Sequence, residues 1–248
     1  MKTFILSIIT TCLTIGLNAQ TLNVQQIVEK IENNERVPSS IGHSKQTIIT
    51  SSGKTRTLEM ISYSKDKNDK QLTVYTSPSR VKGDKILMLD KGNEIWFYTP
   101  KTDRVRHLAS HAKRQKVQGS DFSYEDMSGW DYKKDFICKL LDEETINGKK
   151  AYQIELVPTE SGPHYSKMIL WADKQNFSIL KVDYYEDGEL FKRLINSNIE
   201  EISGYWIPNK MVMKNLLDGG ETTIEMSEIK INTDIEDNIF TTNYLKKN

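Results

Sequence analysis

The chain has 248 residues, 37% of them hydrophobic and 27% charged, and its 34 Lys+Arg balance its 34 Asp+Glu. A chain of this size and composition buries a globular core without a metal or disulfide staple, and its neutral balance lacks the strongly basic profile of a general nucleic-acid binder. Two cysteines, Cys12 and Cys138, exclude a disulfide scaffold and a four-cysteine zinc site.

Met1 to Gln20 reads as a secretory signal: a basic residue at Lys2, an apolar run from Phe4 to Leu17, and Asn18-Ala19 before a cleavage expected after Ala19. A lipidation signal at Cys12 fits less well, because Thr11 precedes it and the apolar run continues past it. The run also falls short of the ~20 residues of a membrane span. Residues 20–248 are then one exported domain, since no repeat, low-complexity run or linker divides them.

Leu22, Val24, Ile27, Val28 and Ile31 lie at helical spacing, so an amphipathic helix is expected over Thr21 to Arg36, closed by Pro38. From Ser39 onward, runs rich in Ile, Val, Thr, Tyr and Trp alternate with turn signals such as Ser52-Gly53, Lys91-Gly92, Asn147-Gly148, Asp187-Gly188 and Ser203-Gly204. Consecutive hairpins of about ten strands follow. Ala151 to Val157 alternates cleanly, as a strand with one wet face does, whereas Ile86-Leu87-Met88-Leu89 and Ile95-Trp96-Phe97-Tyr98 are apolar on both faces and need cover on both sides. Within Thr57 to Tyr63 and again within Thr222 to Ile231 the apolar phase slips by one residue, the mark of a bulge, and bulges curve sheets. Ser123-Tyr124-Glu125-Asp126 predicts a short helix through Met127, stopped by Gly129. The last segment, Ile239 to Leu245, is expected to tuck Phe240 and Leu245 against the sheet.

Enzyme chemistry finds no positive support. His107 and His111 are four residues apart, but Arg106, Lys113 and Arg114 surround them, a poor setting for a cation; His43 and His164 stand alone. Gly119-Ser120-Asp121 lacks the Gly-x-Ser-x-Gly pattern of a nucleophile turn, Cys138 sits in a strand-like run where an inert thiol is usual, and neither a phosphate-binding loop nor a dinucleotide fingerprint occurs. No cofactor and no metal are expected. From Lys101 to Lys116 six basic residues accompany the single acid Asp103, a patch suited to head groups or an acidic partner if it is more than a solvated hairpin face.

Lys91-Gly92-Asn93-Glu94-Ile95-Trp96-Phe97-Tyr98-Thr99-Pro100, together with Pro78 to Gly83, Arg104-Val105-Arg106, Gly119 to Met127 and Phe240 to Leu245, resembles the LolA-like periplasmic carriers and, among them, the outer-membrane lipoprotein-sorting proteins. The likeness extends over nearly all of the mature chain. It implies a mainly β fold, a curved antiparallel sheet forming an unclosed half-barrel around an apolar cavity under lid helices. It also implies carriage of lipoprotein or other lipid acyl chains through the periplasm, from an inner-membrane ABC or RND-type transporter toward an outer-membrane acceptor. The arginine of the carriers' Arg-Pro, which helps hold the lid, has no counterpart in Ser77-Pro78; nearby Arg80 is the candidate gate. A two-residue turn at Lys91-Gly92 pairs Met88 with Ile95 and Ile86 with Phe97. By the resemblance that face lines the cavity with Met211 and Met213, the alternative being plain core under the lid. Ile27, Ile31, Phe122 and Met127 are the expected lid residues, and Arg104, Arg106, Lys113 and Arg114 the docking surface. A sensor or adaptor of the same fold, docking to a transporter or regulatory protein, is the competing reading; a secreted hydrolase is a third.

Overall fold

The computed structural model describes residues 22–247; the signal-peptide reading falls on residues outside that range. The first helix, α1 (Val24–Glu35), starts where Asn23 accepts from the Gln26 N–H at 2.9 Å while the Gln26 side chain accepts from the Asn23 N–H at 3.0 Å. This reciprocal pair satisfies two of the unpaired donors at the helix start. One face, Ile27, Val28 and Ile31, is buried.

Six strands follow: β1 (Ser39–Ile49), β2 (Thr55–Lys65), β3 (Lys70–Ser77), β4 (Lys85–Leu89), β5 (Glu94–Thr99) and β6 (Arg104–Leu108). After an irregular segment and a one-turn helix, α2 (Tyr132–Asp135), come β7 (Phe136–Leu140), β8 (Glu144–Ile146), β9 (Lys149–Pro158), β10 (Lys167–Asp173), β11 (Ile179–Glu186), β12 (Glu189–Ile202), β13 (Tyr205–Asn215) and β14 (Glu221–Ile231); α3 (Thr242–Leu245) ends the chain. The 14 strands exceed the roughly ten expected from turn signals. They form one antiparallel sheet in the order β6-β5-β4-β3-β2-β1-β14-β13-β12-β11-β10-β9-β7, with β8 beside β9. Its edges, β6 and β7, do not pair, so the barrel is unclosed.

Bulges curve this sheet. The register shifts between β1 and β14 at Ile41/His43, where Glu228 takes a left-handed φ of 52°, and between β2 and β3 at Glu59/Met60. Both lie at the phase slips in the sequence. Met88 pairs with Ile95 and Ile86 with Phe97, as the apolar pattern required. The connection is a 3-10 turn, Asp90–Gly92, followed by Asn93, instead of a two-residue turn, yet the register is the same.

The doubly apolar strands are covered on both sides. Outside, Leu72, Leu87 and Tyr98 pack against Ile235, Phe240 and Leu245 of the C-terminal segment, which Lys85 fastens by donating to the Leu245 carbonyl at 3.1 Å. Inside, two clusters lie under separate roofs. Ile86, Met88 and Ile95 join Ile48, Leu58 and Tyr75 beneath Val117, Tyr124 and Met127. Ile154, Met168, Leu170, Val182 and Met213 lie beneath Ile27, Ile31, Phe122 and Tyr132.

The expected helix through Met127 is absent. Its start signal nevertheless forms: Asp126 Oδ2 accepts from the Ser123 N–H at 2.7 Å and its hydroxyl at 2.8 Å, and the Asp126 N–H donates to Ser123 Oγ at 3.2 Å. The chain then turns without propagating, and α2 begins only after Gly129.

Candidate functional site

Residues 109–131 form a strap across the concave face, and its hold on the sheet is made of charged and polar side chains at close spacing. Arg56 on β2 donates from Nη2 to the Gln118 carbonyl at 2.7 Å. Gly119 follows with φ +69°, and a Cβ there would stand 2.3 Å from the same guanidinium nitrogen, so glycine is required twice over. Asp121, buried, accepts the Thr222 hydroxyl at 2.8 Å, while its own N–H donates to Thr222 Oγ1 at 2.9 Å. Glu125, also buried, meets His164 Nδ1 at 2.9 Å and accepts the His164 N–H at 3.2 Å. Asp126 is the most deeply set of the three carboxylates. It pairs with Lys192 of β12, the two side chains 1% and 3% exposed, and accepts the Tyr165 hydroxyl at 2.7 Å. The Lys192 ammonium lies 4.9 Å from the Tyr165 ring and 5.0 Å from the Tyr184 ring, so rings and carboxylate together replace its water.

Under the strap, between α1 and strands β10 to β13, is a cavity of about 230 Å³. Its apolar wall includes Phe122, Leu170, Val182, Leu194, Met211 and Met213. Glu35 stands at one end. The residue is exposed at the end of α1, but its carboxylate turns inward and accepts the Tyr132 hydroxyl at 2.9 Å. Loss of water around that carboxylate pushes its pKa up to about 7, and the Tyr132 hydrogen bond pulls the other way. Burial also holds the Tyr132, Tyr165 and Tyr184 hydroxyls well above the ordinary phenol range; those of Tyr132 and Tyr165 serve as hydrogen-bond donors, to Glu35 and Asp126.

The residues singled out from sequence divide between the two clusters. Met211, Met213 and Phe122 line the cavity, and Ile27 and Ile31 pack in the cluster around it. Ile86, Met88 and Ile95, at most 2% exposed, lie in the other cluster, where Met127 is part of the roof. Phe97 is half-buried at its margin under the Arg106 guanidinium, 5.4 Å from the ring centre. Arg80 is exposed on the turn after β3; the arginines that donate to the strap backbone are Arg56, at Gln118, and Arg36, at Trp130. Arg104 and Arg106 lie on the same face of the edge as Phe97; Arg114 is exposed, and Lys113 donates to Asn93 Oδ1 at 3.2 Å.

Of the histidines, His107 pairs with Glu94 at 2.7 Å and His164 serves the strap. No cluster of three or more potential metal ligands occurs among the described residues. Cys138 is half-buried in β7, and burial pushes its thiol up to about 11, which makes it inert. The sequence reading missed Arg56, Lys192, Tyr165 and the Glu35–Tyr132 pair. Lys192 had one visible sign, a charge between the apolar Phe191 and Leu194 of a strand.

A family model described as that of an uncharacterized protein matches residues 67–247. No curated protein matches the chain significantly. Among solved structures, an outer-membrane lipoprotein-sorting protein domain from Vibrio parahaemolyticus is 27% identical, covers 91% of this chain and 100% of its own, and superposes with a TM-score of 0.84. A DUF1329 family protein from Desulfovibrio piger is 26% identical over 88% of this chain and 96% of its own, with a TM-score of 0.82. A LolA superfamily protein from Nitrosomonas europaea, 24% identical over 90% of this chain and 100% of its own, shares the fold with a TM-score of 0.75.

Proposed function

We propose that this chain, which shares the LolA-like fold with an outer-membrane lipoprotein-sorting protein domain, is a periplasmic carrier, exported by its N-terminal signal, that holds the acyl chains of a lipoprotein or other lipid beneath the strap. The observation that carries this reading is the apolar cavity roofed by a strap that is fastened by polar side chains on an unclosed sheet. Apolar walls bind chains of any sequence of methylenes, and methionines such as Met211 and Met213 adapt to them. At about 230 Å³ the cavity is smaller than the roughly 300–1,000 Å³ of ligand pockets, so loading requires the strap to lift.

An acyl chain leaving a bilayer gains little from a second apolar environment, at ~0.8 kcal/mol per CH₂ on either side. Transfer therefore runs down a series of affinities, each factor of ten worth about 1.4 kcal/mol, and loading draws its energy from an inner-membrane ABC or RND-type transporter. Arg104, Arg106, Lys113 and Arg114 are the proposed docking surface for that transporter or for the outer-membrane acceptor. Binding, with no bond made or broken, is the activity.

Protein purified from its host should carry lipid on native mass spectrometry, and the emptied protein should take up a fluorescent acyl probe. Met211→Glu places a charge in the wall and is expected to abolish uptake while the fold, followed by circular dichroism, persists. A protein that carries no lipid and takes up no probe would be the sensor or adaptor instead; unchanged uptake in the variant would move the site to the cluster around Ile86.

A further inference from the structure

One side of α1 borders an open groove of about 410 Å³, whose other walls are the turn between β10 and β11 and the turn between β12 and β13. Lys30, Asn33 and Asn34 enter it from the helix, where their spacing of i, i+3 and i+4 puts them on one face. Two contacts hold the three segments together. Asn34 accepts the Trp206 N–H at 2.8 Å and donates to the Trp206 carbonyl at 3.1 Å, and the Lys30 ammonium lies 5.1 Å from the centre of the Phe177 ring.

Phe177 takes a φ of +60°, a left-handed conformation that bulky side chains rarely enter, and its N–H closes the turn onto the Asp173 carbonyl at 2.9 Å. Strain of this kind persists where the surroundings over-determine it, and it gathers at binding sites. Its result here is a half-buried ring stacked on Tyr152, the ring centres 6.2 Å apart and the planes 16° from parallel. The electron-rich face of an aromatic ring attracts electropositive groups, and the exposed Lys30, which has no ion pair among the described residues, marks where such a group rests on Phe177.

The polar groups specify what else the ligand carries. Lys30 is the one charged residue among the described residues of the lining, so the groove presents neither the cluster of cations that a multivalent anion needs nor a carboxylate for a cation. Its remaining polar side chains are carboxamides, each with two donors and an acceptor. Those of Asn33 and Gln175 are exposed and have no hydrogen-bond partner among the described residues. Asn176 spends its oxygen on the Ser178 N–H at 3.0 Å and hydroxyl at 2.7 Å, which leaves its NH₂ group to spare. Tyr205 and Trp206 complete the lining, both half-buried, as aromatic residues with one dry and one wet side are at binding surfaces. A sugar ring meets these conditions: it is uncharged, its edge carries hydroxyls that both donate and accept, and its flat face of C–H groups is electropositive.

We propose that this groove is a binding site for a neutral glycan, with a sugar ring on Phe177 and its hydroxyl or acetamido groups on Asn33, Gln175 and Asn176. The site is a second binding function, since the groove and the apolar cavity share no lining residue.

The test is isothermal titration of the intact exported protein with two uncharged probes, the tetramer of N-acetylglucosamine and the β-linked tetramer of glucose. Saturable binding of at least one is expected, and the anionic tetramer of galacturonic acid should bind no more tightly. Phe177→Gly removes the ring while accepting the positive φ, and should weaken the binding by about ten-fold or more. The double variant Asn33→Ala/Gln175→Ala changes only exposed side chains and should weaken it by about five-fold with thermal stability unchanged. Binding of neither neutral tetramer, binding that survives both variants, or a preference for the anionic tetramer overturns the proposal.

Discussion

Lys192 and Asp126 form an ion pair with both side chains buried, 3% and 1% exposed. A buried pair of this kind contributes little net stability compared with an apolar pair of the same shape, since each ion has lost its water. Removing one partner alone is another matter. Lys192→Met leaves a carboxylate that is 1% exposed with the Ser123 and Tyr165 donors but no cation, and should cost about 3 kcal/mol in urea denaturation. The double variant Lys192→Met/Asp126→Asn should recover more than half of that loss; additive losses would show that the pair does not act as a unit. Glu35 gives a second residue-scale expectation. Its folded-state pKa of about 7 lies above the ordinary 4.5, so the folded protein binds this proton more tightly than the unfolded chain does. The stabilisation is fully present below pH 4.5 and is lost as pH rises through 7. Water at the exposed helix end screens the effect to about 1 kcal/mol. Glu35→Gln should flatten the stability curve between those values, and a curve that keeps its slope would locate the titration elsewhere.

At the scale of elements, the strap is held by two arginines that meet its backbone, Arg56 at Gln118 and Arg36 at Trp130. Arg56→Ala frees the Gln118 carbonyl and removes the group packed against Gly119, so a net loss of about 1–2 kcal/mol is expected, that of a charge-assisted hydrogen bond. The loss should be local: limited proteolysis should cut between Ser110 and Trp130 faster than in the wild type, with the sheet intact, whereas cleavage spread evenly over the hairpins would mean that Arg56 holds the fold and not the strap. The strap also shows where sequence reading stops. The register of β4 against β5, the two bulges and the outer cover by Phe240 and Leu245 were legible, because alternation, phase and terminal apolar residues are local patterns. The position of the strap is set by contacts such as Asp121 to Thr222 and Lys192 to Asp126, 101 and 66 residues apart, for which one chain's periodicity has no sign. For the same reason the face of Ile86 and Met88 was legible as apolar, but not as lying in a different cluster from Met211 and Met213. The Ser123–Asp126 motif was read correctly as reciprocal hydrogen bonding and wrongly as a helix: both bonds form, but the chain only turns over 124–127 before Gly129.

For the whole molecule, an open sheet with a fastened roof separates two quantities that a simple pocket couples. On the proposed carrier reading, the affinity for an acyl chain would be set by the apolar walls, and the rates of entry and exit by how often Arg56, Asp121, Glu125 and Asp126 release together. A carrier crossing an aqueous space needs slow exit, which a buried fastening such as Lys192 with Asp126 favours, and one that must hand on its cargo needs a roof that a partner can lift. The double variant Lys192→Met/Asp126→Asn removes the buried fastening and leaves the walls of the cavity in place. Stopped-flow transfer of a fluorescent acyl probe from this variant to acceptor vesicles should therefore be faster by about ten-fold for each 1.4 kcal/mol of fastening lost, with loading accelerated in proportion and equilibrium affinity changed by less than about three-fold. If the variant instead lost affinity at an unchanged entry rate, Lys192 and Asp126 would belong to the binding wall, and the strap would be a fixed part of the barrel.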